Sequence, residues 1–189
     1  IQFSLLLALV FTMACGGGSQ GESDQTGSSA ILTGQFVDAP VQGVSYSTAT
    51  QSGTTGADGG FQYLAGESVQ FTIGNVTLGT ATADTTLTPV DLVSGGSSGH
   101  AAVVNISRLL QSLDSDSDAS TITIPDRVRS NATDTGVATP DFATISDSDL
   151  ETLLTTLAAN VPDYSRIPTL KSAFKSRQHL ETNLTALGK

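Results

Sequence analysis

Basic and aromatic residues are scarce in this chain of 189 residues. It has 8 Lys and Arg against 18 Asp and Glu, which gives a formal net charge of -10. This balance disfavours nucleic acid as a partner, because contact with its phosphates needs a basic surface. It equally disfavours attachment to anionic lipid head groups by charge. Tryptophan is absent and aromatic residues make up only 5% of the chain, so an aromatic binding hot spot is not expected.

Long apolar runs are also missing, with one exception at the start of the chain. Residues 1–14 contain the run LLLALVFTMA, which is shorter than the roughly 20 apolar residues that cross a bilayer. Its length is typical of the hydrophobic part of an export signal. The basic residues that normally precede such a segment are missing, since the first basic residue is Arg108. We therefore expect the natural start of the chain to lie further upstream.

The only cysteine, Cys15, directly follows this apolar run. The sequence Thr12–Met13–Ala14–Cys15 resembles the lipobox of bacterial lipoproteins, with Thr12 in place of the usual leucine. The resemblance implies cleavage before Cys15 and a lipid on its thiol, and two or more acyl chains anchor a protein stably. The alternative is an ordinary secretory signal with an unrelated cysteine. Because Gly16 replaces the Asp that keeps many such proteins at the inner membrane, the resemblance implies the outer membrane of the cell envelope.

The spacing of apolar residues divides the rest of the chain. Residues 15–30 lack an apolar pattern and are predicted to form a flexible tether. Residues 31–83 alternate apolar and polar positions in short runs between turn sequences, which predicts a small β-sandwich. Within it, Asp58–Gly59–Gly60 predicts a hairpin turn. Residues 84–99 are predicted to be a polar linker, and residues 100–189 a helical region with an acidic loop.

Three helices are predicted in this last region. Apolar residues recur at helical spacing in 100–113, in 150–157 after the capping sequence Ser146-x-x-Asp149, and from about residue 169 to residue 187. Pro162 ends the second of these helices. Each helix has one apolar face that must be buried. The predicted fold class is therefore α+β, a small antiparallel β-sandwich followed by a three-helix region.

Two sequence patterns of known families together cover about residues 31–125, which include the predicted sandwich and the first predicted helix. The stretch GQFVDAPVQGVSYSTATQSGTTGADGGFQYLAGESVQFTIG resembles the carboxypeptidase-regulatory-like and Cna-B-like group of transthyretin-type β-sandwiches. The D-x-P-x-x-G-V and T-x-x-D-G-x-F patterns of that group match Asp38, Pro40, Gly43, Val44, Thr55, Asp58, Gly59 or Gly60, and Phe61. A wider pattern of bacterial lipoproteins and surface proteins, N-I-x-R-LLQ-x-LD, matches Asn105, Ile106, Arg108, Leu109, Leu110, Gln111, Leu113 and Asp114. Both resemblances imply a spacer, an adhesive module or a folding support.

No combination of residues in the sequence points clearly to catalysis. The Lys–Asn isopeptide bond of many Cna-B-like domains is excluded from the sandwich, because no lysine precedes Lys171. The only histidines, His100 and His179, lie in no H-E-x-x-H spacing and are predicted to be surface residues. The glycine-rich stretch Gly95–Gly96–Ser97–Ser98–Gly99 lacks the G-K-[ST] of a phosphate loop and is interpreted as part of a linker.

An acidic repeat after the first predicted helix resembles the first half of a calcium loop. Asp114, Asp116 and Asp118 place carboxylates at alternating positions, which can surround one hard cation. Ala119 stands where the loop needs glycine, and Pro125 where it needs a bidentate glutamate. Two interpretations stay open, a weak calcium site and a solvated acidic loop that ends the helix.

The leading functional hypothesis is a non-enzymatic, lipid-anchored envelope protein that acts as a binding, adhesion or assembly module. Its partner would be an envelope protein or a surface ligand, with the membrane contacted through the lipid anchor. One alternative is an accessory N-terminal domain of a longer exported enzyme. Another is a carrier of apolar ligands, whose pocket would be lined by Leu150, Leu153, Phe174 and Leu180.

Overall fold

The computed structural model describes residues 30–116, 118 and 120–189. The predicted signal segment, Cys15 and all but the last residue of the predicted tether lie outside this range. Strands and helices both contribute to the described part, which confirms the α+β fold class.

The strands are short and alternate buried with exposed side chains. In chain order they are β1 (Leu32–Phe36), β2 (Val41–Gln42), β3 (Ser45–Ser47), β4 (Ser52–Thr54), β5 (Gly60–Tyr63), β6 (Ser68–Ile73), β7 (Val76–Thr82), β8 (Thr86–Leu87) and β9 (Ile122–Thr123). In β6, Val69, Phe71 and Ile73 are buried, while the residues between them face outward. This period of two is the pattern from which the strands were predicted.

Two sheets pack face to face through aromatic rings. One sheet has the strand order β5-β1-β8, and the other has the order β4-β3-β6-β7. Phe36 of the first sheet stacks on Phe71 of the second, with ring centroids 4.4 Å apart. Phe61 meets the same Phe71 edge-on at 5.2 Å. These contacts form the centre of a sandwich, and aromatic pairs in such geometry add to the stability gained from their burial.

The turn at Asp58–Gly59–Gly60 does not close a hairpin, so that prediction is wrong. The strand before it, β4, pairs with β3, whereas the strand after it, β5, pairs with β1. The turn itself forms as its sequence requires, with Asp58 Oδ1 accepting the Gly60 N–H at 2.9 Å. It therefore carries the chain from one sheet to the other.

Two parallel strand pairs join distant parts of the chain. Strand β8 lies inside the interval 84–99, which was predicted to be a linker, and it pairs with β1. Strand β9 lies inside the predicted helical region and pairs with β2. The interval predicted to be a linker therefore contains a strand, and two short parallel pairs accompany the predicted antiparallel ones. The sequence Thr121–Ile122–Thr123–Ile124 is typical of a short strand, whereas the two residues of β8 are too few to show a period.

The described part of the chain contains one more helix than predicted. The helices are α1 (Ala101–Ser112), α2 (Asp126–Asp134), α3 (Asp147–Ala158) and α4 (Ala173–Leu187). The capping sequence is confirmed, since Ser146 Oγ accepts the Asp149 N–H at 3.1 Å. Helix α2 escaped prediction because it buries only Val128, Asn131 and Ala132, too few apolar residues to mark a face. None of the described helices is long and apolar enough to cross a membrane.

One hydrophobic core runs through the sandwich and the helices. It joins Phe36 and Phe71 of the two sheets to Leu109 of α1 and Leu154 of α3. Leu150 and Leu180, which were assigned to an apolar ligand pocket, are fully buried, whereas Phe174 is 68% exposed. The residues proposed for that pocket therefore do not surround a common cavity.

Gly43, directly after β2, lies close to Ile124, directly after β9, and a substitution at Gly43 can test this close approach. The φ of Gly43 is +87°, and a Cβ there would lie 2.1 Å from the Ile124 carbonyl oxygen. We expect Gly43→Ala to lower the free energy of unfolding by about 3 kcal/mol, through backbone strain and a clash that only a backbone shift relieves. Urea denaturation measures the loss.

Gly66→Ala is the matched control for this substitution. Gly66 has nearly the same φ, +86°, but no atom lies within 4 Å of its Cβ position. Strain alone should lower the free energy of unfolding by about 1 kcal/mol there. Equal losses in the two variants would contradict the close approach at Gly43.

Candidate functional site

The turn between β1 and β2 buries a carboxyl group. Val37 and Pro40 bridge across this turn. Ala39 adopts a φ of +58°, a left-handed conformation that costs a residue with a Cβ about 1 kcal/mol or more. The neighbouring Asp38 has no exposed surface at all. The chain therefore tolerates both a strained backbone and a desolvated acid at this turn.

Asp38 connects the turn to both helices that pack against it. The Gln111 side chain of α1 donates from Nε2 to Asp38 Oδ2 at 2.9 Å, and also to the Ser176 carbonyl oxygen of α4 at 3.2 Å. His179 of α4 places its Nε2 3.0 Å from the Asp38 carbonyl oxygen. Because a carbonyl oxygen can only accept, this Nε2 carries the hydrogen, and the other ring nitrogen, Nδ1, is left for other contacts.

The buried carboxyl of Asp38 is neutral over much of the pH range. Burial raises its pKa from 3.8 to about 8, because the charged form loses its hydration, and the contacts of Gln111 and Ser107 oppose this only in part. The Ser107 hydroxyl lies beside the carboxyl, but neither it nor Asp38 Oδ1 has a partner at hydrogen-bond geometry. A protonated Oδ1 can donate to that hydroxyl, so the neutral form suits the site.

The serine, histidine and aspartate residues of this cluster do not form a catalytic relay. His179 contacts the backbone carbonyl of Asp38 and not its carboxyl group. The hydroxyls of Ser107 and Ser176 are buried and have no hydrogen-bond partner, so neither is paired with a base. A nucleophilic serine needs a base within hydrogen-bond reach that is itself oriented by a third group. The contacts of the cluster are those of a support that positions Gln111 and His179.

Gln111 and His179 line an open, polar groove on the surface. It consists of two adjoining cavities of about 350 Å³ and 440 Å³, which share Gln111, Asp114, Asp116 and Lys171. His179 and Lys175 line the first cavity only. We call this surface the charged groove. It lies where α1 ends and α4 begins, so its walls come from the two helices that Asp38 joins.

Charges of opposite sign line the charged groove without forming ion pairs. Asp114 and Asp116 follow the end of α1, whereas Lys171 directly precedes the N-cap of α4 and Lys175 lies in its first turn. Every ion pair found among the described residues involves other side chains. Burial raises the pKa of the half-buried Asp114, an effect that the charge of Lys171 partly opposes. These charges are therefore available to a ligand.

The backbone at Lys171 is held from two directions. Arg108, whose surface is 5% exposed, donates from Nε to the Lys171 carbonyl oxygen at 2.9 Å. The same guanidinium donates to Asp147 Oδ1 at 2.7 Å. Ser112 Oγ accepts the Lys171 N–H at 2.8 Å. The position of the basic wall of the charged groove is thus fixed by α1.

The acidic loop satisfies its carboxylates within its own backbone. Asp114 accepts the Thr123 N–H at 2.9 Å, Asp116 the Asp118 N–H at 2.8 Å, and Asp118 the Ser120 N–H at 2.9 Å. Among the residues that the structure describes, no group of three or more His, Cys, Asp or Glu side chains is placed to hold a metal ion. Calcium binding by Asp114, Asp116 and Asp118 stays a prediction.

Several of these residues had no role in the sequence-based predictions. Asp38 and Gln111 were recognised only as members of family patterns, and Ser107 and Ser176 not at all. The sequence offers one indication that Ser107 and Gln111 act together. They lie four residues apart on α1, beside its apolar face, and so share one side of the helix. His179 was expected at the surface but is half-buried. His100, also half-buried, caps α1 by accepting the Ala102 N–H at its Nδ1.

Comparisons with protein-family models, curated proteins and solved structures found no match to this chain. The chemistry of the charged groove must therefore be inferred from its own residues. These are two carboxylates, two ammonium groups, an amide and an imidazole around one open cavity.

The pH dependence of stability tests the buried Asp38 carboxyl. The folded protein keeps this proton up to a pH of about 8, whereas the unfolded chain releases it near 3.8. The folded state therefore binds more protons in this interval, and the contribution of Asp38 to the free energy of unfolding falls as the pH rises from about 4 to about 8. Asp38→Asn removes this loss and should be more stable than the natural protein above pH 8, by on the order of 3 kcal/mol.

Chemical denaturation across this pH range measures the difference. Asp84→Asn serves as the control, because Asp84 is exposed and its Oδ1 accepts the N–H and the hydroxyl of Thr85, which an asparagine Oδ1 can also do. Its stability should follow that of the natural protein at every pH. Parallel pH curves for Asp38→Asn and the natural protein would contradict the neutral carboxyl.

Proposed function

We propose that this chain is a non-enzymatic binding module held at the bacterial cell envelope by a lipid on Cys15. The observation that carries the binding role is the charged groove, in which Asp114 and Asp116 face Lys171 and Lys175 and form no ion pair with any residue that the structure describes. The charged side chains on its two walls can form ion pairs and hydrogen bonds with a ligand that carries charge. The lipid anchor is supported by the lipobox resemblance at residues 12–15.

The support behind the groove favours binding over adhesion through a flat surface. Asp38 holds the side chains of Gln111 and His179 in place through hydrogen bonds. Arg108 holds the backbone at Lys171 in the same way. The walls are therefore preorganised, which lowers the entropy that a ligand must lose on binding. One continuous core beneath them joins the sandwich to α1 and α3. Such a body can display the groove at a fixed geometry from the tether.

The cluster around Asp38 lacks the arrangement needed for nucleophilic catalysis, which agrees with a binding role. The hydroxyls next to Asp38 are buried and meet no base, so they give no sign of nucleophilic catalysis. The charged side chains of the groove stand at its surface, where they can attract and orient a polar partner. The partner is an envelope component or a ligand that reaches the cell surface.

Lipidation at Cys15 is the first test of this proposal. The chain is expressed in a Gram-negative bacterium behind a basic start segment, and membrane fractions are examined by mass spectrometry. We expect an acylated Cys15 and recovery in the outer membrane. Cys15→Ser should leave the protein unacylated and remove it from the outer membrane, because serine has no thiol to carry the lipid.

Two neighbouring substitutions sharpen this test. Thr12→Leu restores the usual lipobox residue and should process at least as well as the natural sequence. Gly16→Asp should move the acylated protein from the outer to the inner membrane, because an aspartate after the cysteine keeps many lipoproteins there. An unmodified Cys15 in membrane-extracted protein would contradict the anchor, and an unchanged location of Gly16→Asp would contradict the outer-membrane assignment.

A further inference from the structure

The end of α1 and the start of α4 both border the charged groove. At neither end do side chains of the last or first turn neutralise the partial charge of the helix dipole. Helix α1 ends at Ser112 with no basic residue in its last turn, and Asp114 and Asp116 follow. A helix C-terminus carries a partial negative charge, so acidic residues there add to it instead of neutralising it. This end of the groove is therefore a negative pole.

The start of α4 forms the opposite pole. Its first turn contains no acidic residue, and it holds Lys175 with Lys171 just before the N-cap Ser172. The partial positive charge of a helix N-terminus thus adds to two ammonium groups. Both helix ends carry the charge that is unfavourable for the helix itself. A ligand with the complementary charges would compensate both ends at once.

We propose that the charged groove binds a short zwitterionic peptide, with the ligand's carboxylate at Lys171 and Lys175 and its ammonium group at Asp114 and Asp116. The proposal rests on the binding role proposed above and names the ligand class for that site. Charge complementarity at both poles selects a molecule that carries both charges over an anion or a cation alone.

The middle of the groove suits a peptide group. Both side-chain N–H bonds of Gln111 point away from the ligand, to Asp38 Oδ2 and to the Ser176 carbonyl. Its Oε1 is the remaining polar atom and can accept a peptide N–H. His179 gives its Nε2 hydrogen to the Asp38 carbonyl, which leaves Nδ1 for the ligand. The Asp38 carboxyl, fully buried and without a partner at Oδ1, lies directly behind this wall.

The size of the groove favours a peptide over a single amino acid. Its two cavities measure about 350 Å³ and 440 Å³ and share the residues of the negative pole and Lys171. Sites for small ligands commonly lie between roughly 300 and 1,000 Å³, so two joined cavities exceed what one amino acid fills. The second cavity adds Arg166 and Asp163, which continue the alternation of charge along the groove.

Matched ligands test the two poles separately. The probes are alanyl-alanine, its N-acetyl derivative without the ammonium group, its C-terminal amide without the carboxylate, and free alanine. Calorimetry and NMR shift changes on the folded protein measure binding at millimolar ligand. We expect alanyl-alanine to bind, each blocked derivative to bind about tenfold more weakly, and alanine to bind more weakly than the dipeptide.

Two charge-removing variants assign the poles to their residues. Lys175→Gln should weaken alanyl-alanine about tenfold but leave the amide unchanged, because that ligand has no carboxylate to lose. Asp116→Asn should weaken alanyl-alanine by a similar factor and leave the N-acetyl derivative unchanged. The asparagine Oδ1 still accepts the Asp118 N–H, so the loop can keep its shape. Glu151→Gln, on the exposed side of α3, is the control that should bind like the natural protein.

Three results would overturn the zwitterionic ligand. They are no binding of alanyl-alanine to the folded protein, equal binding of the blocked and unblocked dipeptides, and occupation of the acidic wall by calcium chloride alone. A different outcome is that alanyl-alanine does not bind, while an envelope component binds the natural protein and does not bind Lys175→Gln. In that case only the proposed ligand class is wrong. If no ligand depends on Lys175 or Asp116, the binding role proposed for the groove fails as well.

Discussion

The buried carboxyl of Asp38 is the interaction on which the joining of sandwich and helices depends. It lies at a strained turn between two strands and is contacted by Gln111 from one helix, while His179 of another holds its backbone carbonyl. A charged group at this depth would be costly, but a neutral carboxyl keeps directional hydrogen bonds at a smaller cost. Polar contacts of this kind fix one arrangement of α1 and α4, where apolar packing alone would accept several.

The chain separates rigid support from exposed chemistry. Arg108 and Asp38 are buried, and each contacts a residue that borders the charged groove. Asp116, Lys171 and Lys175 stay at the surface, where they cost little to keep ionised, and only Asp114 is half-buried. This division resembles the general design of binding sites, in which a second layer of buried groups holds the contacting residues in place. The groove is therefore shaped before any ligand arrives.

Features with a local signal could be predicted from the sequence, and features with distant partners could not. Strand β6 alternates over six residues and α3 begins at a capping serine, so both were found in place. Strand β8 holds only two residues, too few for a period. Asp38 meets Gln111 across 73 positions of sequence. Nothing near Asp38 in the chain marks it as buried, because its surroundings come from helices that follow much later.

The parallel pairs β1–β8 and β2–β9 have a consequence for how the protein is made. Because synthesis starts at the N-terminus, β1 and β2 are made before their partners β8 and β9. Until those partners follow, β1 and β2 have open edges, which can pair with strands of other molecules and start aggregation. These two parallel pairs therefore cannot form early in synthesis. The open edge of β2 is closed only after Ile122–Thr123, in the second half of the chain, has been made.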